Sequence, residues 1–133
     1  MTAEIVYTGE LHTNATHLKS GNVISTDAPT DNNGKGEAFS PTDLVATALG
    51  SCIITIMGIT ANTHGIDMKG ATCSVKKVMA SNPRRIARLE VKIQMPANNY
   101  SEKEVKMLEK AAHHCPVARS LHPDLEEIIE IAW

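Results

Sequence analysis

The stretch SPTDLVATALGSCIITIMGITANTHG, residues 40–65, decides the fold. Ser40 is placed to cap a helix, Pro41 suits the first helical position, and Asp43 can close a capping box with Ser40. Gly65 suits a C-cap, so the helix runs to about His64. Leu44, Val45, Ala48, Leu49, Cys52, Ile53, Ile56 and Met57 recur at helical spacing. Ile54, Ile59 and Ala61 carry the apolar surface further round the cylinder. Ala46, Ala48, Gly50 and Ser51 are small enough to let another backbone come close. A helix apolar on most sides reads as a central, buried one.

Working outward, residues 28–40 (APTDNNGKGEAFS) read as a loop rich in Gly, Asn and Asp. A β region precedes it. The stretch EIVYTGELH, residues 4–12, reads as a strand with Ile5, Tyr7, Gly9 and Leu11 on one face. Two more strands, near 16–19 and over 23–26, flank the turn Ser20-Gly21-Asn22. Downstream comes a hairpin: 71–79, a turn at Ser81-Asn82-Pro83, then 85–95. In its second strand Ala87, Leu89, Val91, Ile93 and Met95 alternate with Arg88, Glu90, Lys92 and Gln94, the pattern of a half-buried antiparallel strand. Pro96 ends it. Ser101 and Glu104 form a second capping-box pattern, opening a helix with Val105, Leu108, Ala112 and Cys115 on one face. Pro116 starts a short third helix, VARSL, and 126–133 is a last strand. The order βββ-α-ββ-αα-β predicts an α+β fold, with antiparallel sheets around one long buried helix and a single domain over 1–133.

Composition narrows the function. A chain of 133 residues suits one domain. With 15 acidic against 13 basic side chains and only four aromatics, it lacks both a basic excess and stacking platforms, so nucleic acid is not an expected partner. The longest apolar run, around Ile53–Ile59, contains Thr55 and Gly58 and is too short to span a membrane. The N-terminus lacks a cationic stretch followed by an apolar one, so no signal peptide is expected. Three cysteines without a CxxC argue against a secreted disulfide scaffold and a zinc ribbon, and point to a reducing cytoplasm. His113, His114, Cys115, Cys52, His64 and His122 match no standard zinc spacing, so neither a metal nor a cofactor is expected. The charge runs Lys76-Lys77, Arg84-Arg85 and Glu126-Glu127 read as solvated faces.

That leaves the cysteines. From burial alone Cys52 reads as a small hydrophobe in the core. Cys115 falls at the start of a helix, with His113 and His114 before it and Arg119 one turn on, a setting that favours thiolate. Cys73, in a strand, reads as structural. Spacing does not fix whether Cys52 and Cys115 meet, so the residues by themselves reach only as far as a candidate dithiol in a small α+β protein.

SPTDLVATALGSC, ending at Cys52, resembles the first cysteine motif of the OsmC/Ohr family of thiol-dependent peroxidases, and HHCPV around Cys115 resembles the second. The likeness spans essentially the whole chain. It implies an intertwined homodimer, which would account for a helix apolar all round. It also implies that Cys52 is the peroxidatic thiolate, which attacks an organic hydroperoxide and becomes a sulfenic acid. Cys115 would then resolve it to a disulfide, and a small dithiol or lipoyl-type carrier would reduce that disulfide. Leu49, Ile53, Ile56 and Met57 become candidates for the wall of an apolar substrate pocket.

The sequence departs from the family in both halves of one ion pair. Active members use an arginine of the N-terminal β region against the peroxidatic sulfur, held by a glutamate just after the Pro of the first motif. Here no arginine precedes Arg84, and Thr42 stands where the glutamate would be. Without that cation, burial disfavours the thiolate and slows its chemistry. Lys19, His12 or His17 could stand in for the arginine, and Asp43 or Glu37 for the glutamate. A non-catalytic redox sensor, or a binder of a small apolar ligand on the same scaffold, is the alternative.

Overall fold

Two hairpin turns build the first sheet. In the computed structural model, which describes residues 1–133, β1 (Ala3–Gly9), β2 (His12–His17) and β3 (Val23–Asp27) pair antiparallel in that order. The expected strand over 4–12 stops early. Gly9, Glu10 and Leu11 have φ of 91°, 52° and 59°, so the chain reverses there and β2 starts at His12 instead of residue 16. Glu-Leu lacks the Asn, Asp or Gly that normally marks so tight a turn, which is why the sequence hides it. The second turn falls as expected: the Gly21 amide donates to the His17 carbonyl and the His17 amide to that of Asn22, both at 2.8 Å.

Contacts group the chain into two compact units, Met1–Val45 and Ala46–Trp133. In the first, the register puts Ile5, Tyr7, Ala15 and Ile24 on one face of the sheet. β1 buries none of its residues, and Ile5, Val6, Tyr7, Val23 and Ile24 are each more than half exposed.

Helix α1 (Pro41–Thr63) starts in the first unit and runs through the second. Its capping box is formed. The Asp43 amide donates to Ser40 Oγ at 3.0 Å, and the Ser40 amide to the Asp43 carboxylate at 2.9 Å. At the other end Gly65 takes φ 65°, and the Ile66 amide donates back to the Ala61 carbonyl at 2.9 Å.

β4 (Thr72–Ala80) and β5 (Arg85–Gln94) form an antiparallel hairpin. The chain then passes through α2 (Glu102–Ala112) and α3 (Pro116–Ser120) to β6 (Glu126–Ala132). β6 pairs with β5 in parallel, so this sheet is mixed where an antiparallel one was expected. The reason is the connection: a crossover through two helices returns the chain to the same end of the sheet, which a hairpin cannot do. The Ser101–Glu104 capping box of α2 is present.

The inner face of this sheet makes the core. Leu89, Val91 and Ile93 of β5 are at most 2% exposed and cluster with Leu49, Ile53 and Met57 of α1, Leu108 and Ala112 of α2, and Cys115. Burying each such apolar side chain stabilises the fold by about 1.5–3 kcal/mol. Helix α1 buries one stripe: Ala46, Leu49, Gly50, Ile53, Met57 and Ala61. Its opposite side is open, with Ile59 56% exposed, so burial all round does not hold within one chain. Gly50 is the point of closest approach. A Cβ there would stand 2.5 Å from Val75 Cγ2 and 3.1 Å from Cys73 Sγ, so only glycine lets the helix lie this near β4. By length and apolarity α1 could cross a membrane, although its longest uninterrupted apolar run suggests otherwise. Its buried stripe is that of a core helix.

Candidate functional site: two thiols between a helix and a helix start

Cys52 follows Gly50 by two residues, which turns it to another side of α1. It is partly exposed and packs against the edge of the core cluster. Cys115 is fully buried and stands at the N-cap of α3, with φ −72° and ψ 122° and Pro116 as the first helical residue. The crossover therefore brings together the two cysteines singled out by the sequence: the Cys115 thiol meets the Cys52 side chain in a hydrogen-bonding and electrostatic interaction. Both are free thiols.

Burial pushes the Cys115 thiol above the ordinary cysteine range, and the Cys52 side chain pushes it the same way. The amides of Ala118 and Val117 act in the opposite direction, though neither closes a capping hydrogen bond of ordinary geometry. Sequence reasoning surrounded Cys115 with positive charge, and the structure corrects this. His113, His114 and Arg119 are exposed, and His114 Nδ1 lies 2.7 Å from the Lys110 carbonyl. Helix polarity remains, and desolvation outweighs it.

The other expected site residues fall as follows. Leu49 and Ile53 have no exposed area and belong to the core. Lys19, in the turn before β3, is exposed. Glu37 exposes its side chain, while its amide donates to Asp27 Oδ2 at 2.9 Å. Asp43 serves the α1 capping box. His12 Nδ1 lies 2.5 Å from Asp27 Oδ1, and His17 Nδ1 2.6 Å from Ser20 Oγ. Asp27 is only 4% exposed, and the hydrogen bond with His12 holds its carboxyl below the usual range. Cys73 sits on the inner face of β4 opposite Ile93, and burial pushes its thiol upward.

One residue was missed. Glu127 is not part of a solvated charge run: it pairs with Leu89 and shares the inward side of β6 with Ile129 and Ile131. Burial raises its carboxyl, and His113 partly offsets this. The alternation Glu127, Ile129, Ile131 was the signal for it.

The two units and the thiol pair define the class: a small α+β protein whose one built feature is a pair of free cysteines on a helix and a neighbouring helix start. The profile of the OsmC-like protein family matches residues 34–128, and the chain belongs to that family. Among solved structures it is similar to a protein of Psychrobacter arcticus 273-4 assigned to the osmotic stress induced and detoxification response. That match has 48% identity and a TM-score of 0.93, and covers 98% of this chain and 95% of the other. An organic hydroperoxide resistance protein OsmC of Legionella pneumophila shares the fold at 14% identity, with a TM-score of 0.77 and coverage of 100% and 98%. So does an organic hydroperoxide resistance protein of Elizabethkingia anophelis at 15% identity, with a TM-score of 0.75 and coverage of 99% and 96%. No curated protein matches the chain.

Proposed function

We propose that this chain is one OsmC-like domain that reduces organic hydroperoxides in the cytoplasm, with Cys52 as the attacking thiol and Cys115 as the resolving one. The observation that carries this reading is the unequal burial of two interacting thiols: Cys52 is partly exposed and Cys115 is sealed behind it. A peroxide can reach only the first, and the sulfenic acid formed there is adjacent to the second. A dithiol or lipoyl-type reductant restores the pair. Ile56, one turn on from Cys52 and like it only partly buried, suits an organic peroxide. The open apolar face of β1–β3 and the exposed side of α1 support a homodimer. The test is consumption of cumene hydroperoxide with dithiothreitol or a dihydrolipoyl reductant. The wild-type chain turns over, and Cys52→Ser does not. Equal rates for the two overturn the reading.

A second reading is supported by the absence of arginine before Arg84 and by Thr42 in the glutamate position. On it, the pair oxidises slowly as a sensor, or the open face holds a small apolar ligand, with no sustained turnover. One stoichiometric disulfide per chain without multiple turnovers selects this alternative.

A further inference from the structure

The proposed reaction needs a proton at its first step. When a thiolate takes the terminal oxygen of a hydroperoxide, the O–O bond breaks, sulfur is oxidised to S–OH, and an alkoxide leaves with the electron pair. That alkoxide must be protonated. Cys52 on α1 meets the Cys115 thiol, and the Val117 and Ala118 amides of α3 also face it. The charged residues nearest in sequence, His113, His114 and Arg119, are exposed, and Glu127 of β6 meets His113.

We propose that the Cys115 thiol is the proton donor of the first half-reaction as well as the nucleophile of the second. This rests on the peroxide-reducing reading above. In the reduced site the Cys115 S–H donates to the Cys52 sulfur, so the pair holds a single proton once Cys52 is ionised. The hydrogen bond is charge-assisted and stabilises the attacking thiolate in the absence of a guanidinium. After attack, Cys115 gives its proton to the alkoxide, which leaves as the alcohol. Cys115 is now a thiolate, beside the new sulfenic acid. It attacks that sulfur, the S–S bond forms, and hydroxide leaves and takes up the proton that Cys52 gave to solvent on ionising. Two thiols are oxidised, one peroxide is reduced to alcohol and water, and no further acid is required. Full burial keeps the Cys115 proton from exchanging readily with solvent, and the helix-start amides accommodate the negative charge once it has gone. The protonated, buried state of Cys115, unfavourable for a nucleophile, is thus what the first step needs.

The test compares Cys115→Ser, which keeps an O–H donor, with Cys115→Ala, which has none. Neither can resolve, so both stop at the first step. In single-turnover oxidation by cumene hydroperoxide, sulfenic acid at the Cys52 peptide is trapped with dimedone and read by mass spectrometry. The serine variant should stay within about 3-fold of wild type and the alanine variant fall by about 10-fold or more, the loss of a hydrogen bond to a charged group and of a general acid. Equal rates for the two variants overturn the proposal. Alkylation of Cys52 by iodoacetamide as a function of pH needs no peroxide. Its midpoint should lie about one pH unit higher in the alanine variant than in the serine variant, and coincident midpoints overturn the shared proton. If no form reacts with peroxide while the midpoints still differ, the proposed activity fails and the shared proton stands.

Discussion

The two sheets have three strands each and opposite fates. β4–β6 turns Leu89, Val91 and Ile93 into a closed core under α1 and α2. β1–β3 carries Ile5, Tyr7, Ala15 and Ile24 on one face and leaves Ile5, Tyr7 and Ile24 more than half exposed. Three-stranded sheets need a covered apolar face for independent stability. The second sheet meets this condition within its own unit, whereas the first does not. Each sheet also holds one inward acid, and the two are tuned in opposite directions. Asp27 is held ionised by the hydrogen bond with His12, and Glu127 is pushed toward its neutral form by burial.

The largest test of this contrast is a pair of truncations. Leu89→Ala should cost about 3 kcal/mol, within the 2–5 range for emptied core sites, while Ile24→Ala should cost about 1 kcal/mol or less in dilute urea denaturation. Equal costs would break the contrast. A cost at Ile24 that grows with protein concentration would sharpen it, because that is the mark of a second copy covering the sheet. Next, Gly50→Ala should destabilise by about 1–3 kcal/mol through overpacking against Val75. An unchanged denaturation midpoint would mean that the helix can back away from β4 freely. Smaller again, Ser101→Ala should cost about 1 kcal/mol by removing the α2 cap.

The lowered carboxyl of Asp27 contributes stability that is present above its unfolded pKa, near 3.8, and is lost as pH falls through the lower folded value. The raised carboxyl of Glu127 contributes stability that is full below its unfolded pKa, near 4.5, and is lost as pH rises through the folded value. Asp27→Asn should therefore flatten the acid limb of the stability profile below pH 3.8, and Glu127→Gln should flatten a decline just above pH 4.5. Identical profiles for both variants would show that the two sheets treat their acids alike.

Much of this was legible because it is local. Ser40, Pro41 and Asp43 announced the start of α1, Ser101 and Glu104 that of α2, and the alternation from Ala87 to Met95 described β5 well. Residue by residue, these patterns are set by hydrogen-bonding capacity and by periods of 3.6 and 2. The turn at Glu10-Leu11 was not legible, since its left-handed backbone is imposed by strand pairing and not favoured by those side chains. Nor was the parallel register of β6, which depends on where a two-helix connection returns the chain. For the thiols, sequence located Cys115 at a helix start but gave its surroundings the wrong sign. Charges adjacent in sequence point away at a helix end, and desolvation by the core, absent from any local pattern, dominates. Leu49 and Ile53 illustrate the same limit. Their spacing marks an apolar face, and only packing shows that it is core with no open wall.

The parallel register also has a kinetic meaning. β4 and β5 can pair as soon as a short turn closes, but β6 must wait until residues 95–125 have folded back across the sheet. Closing so long a segment is slow relative to a hairpin. Cys115 rides inside it. Its meeting with Cys52 joins residues 63 apart in the chain, so it depends on long-range closure and not on a local turn. The pair of thiols is a product of the finished core, not of either helix alone.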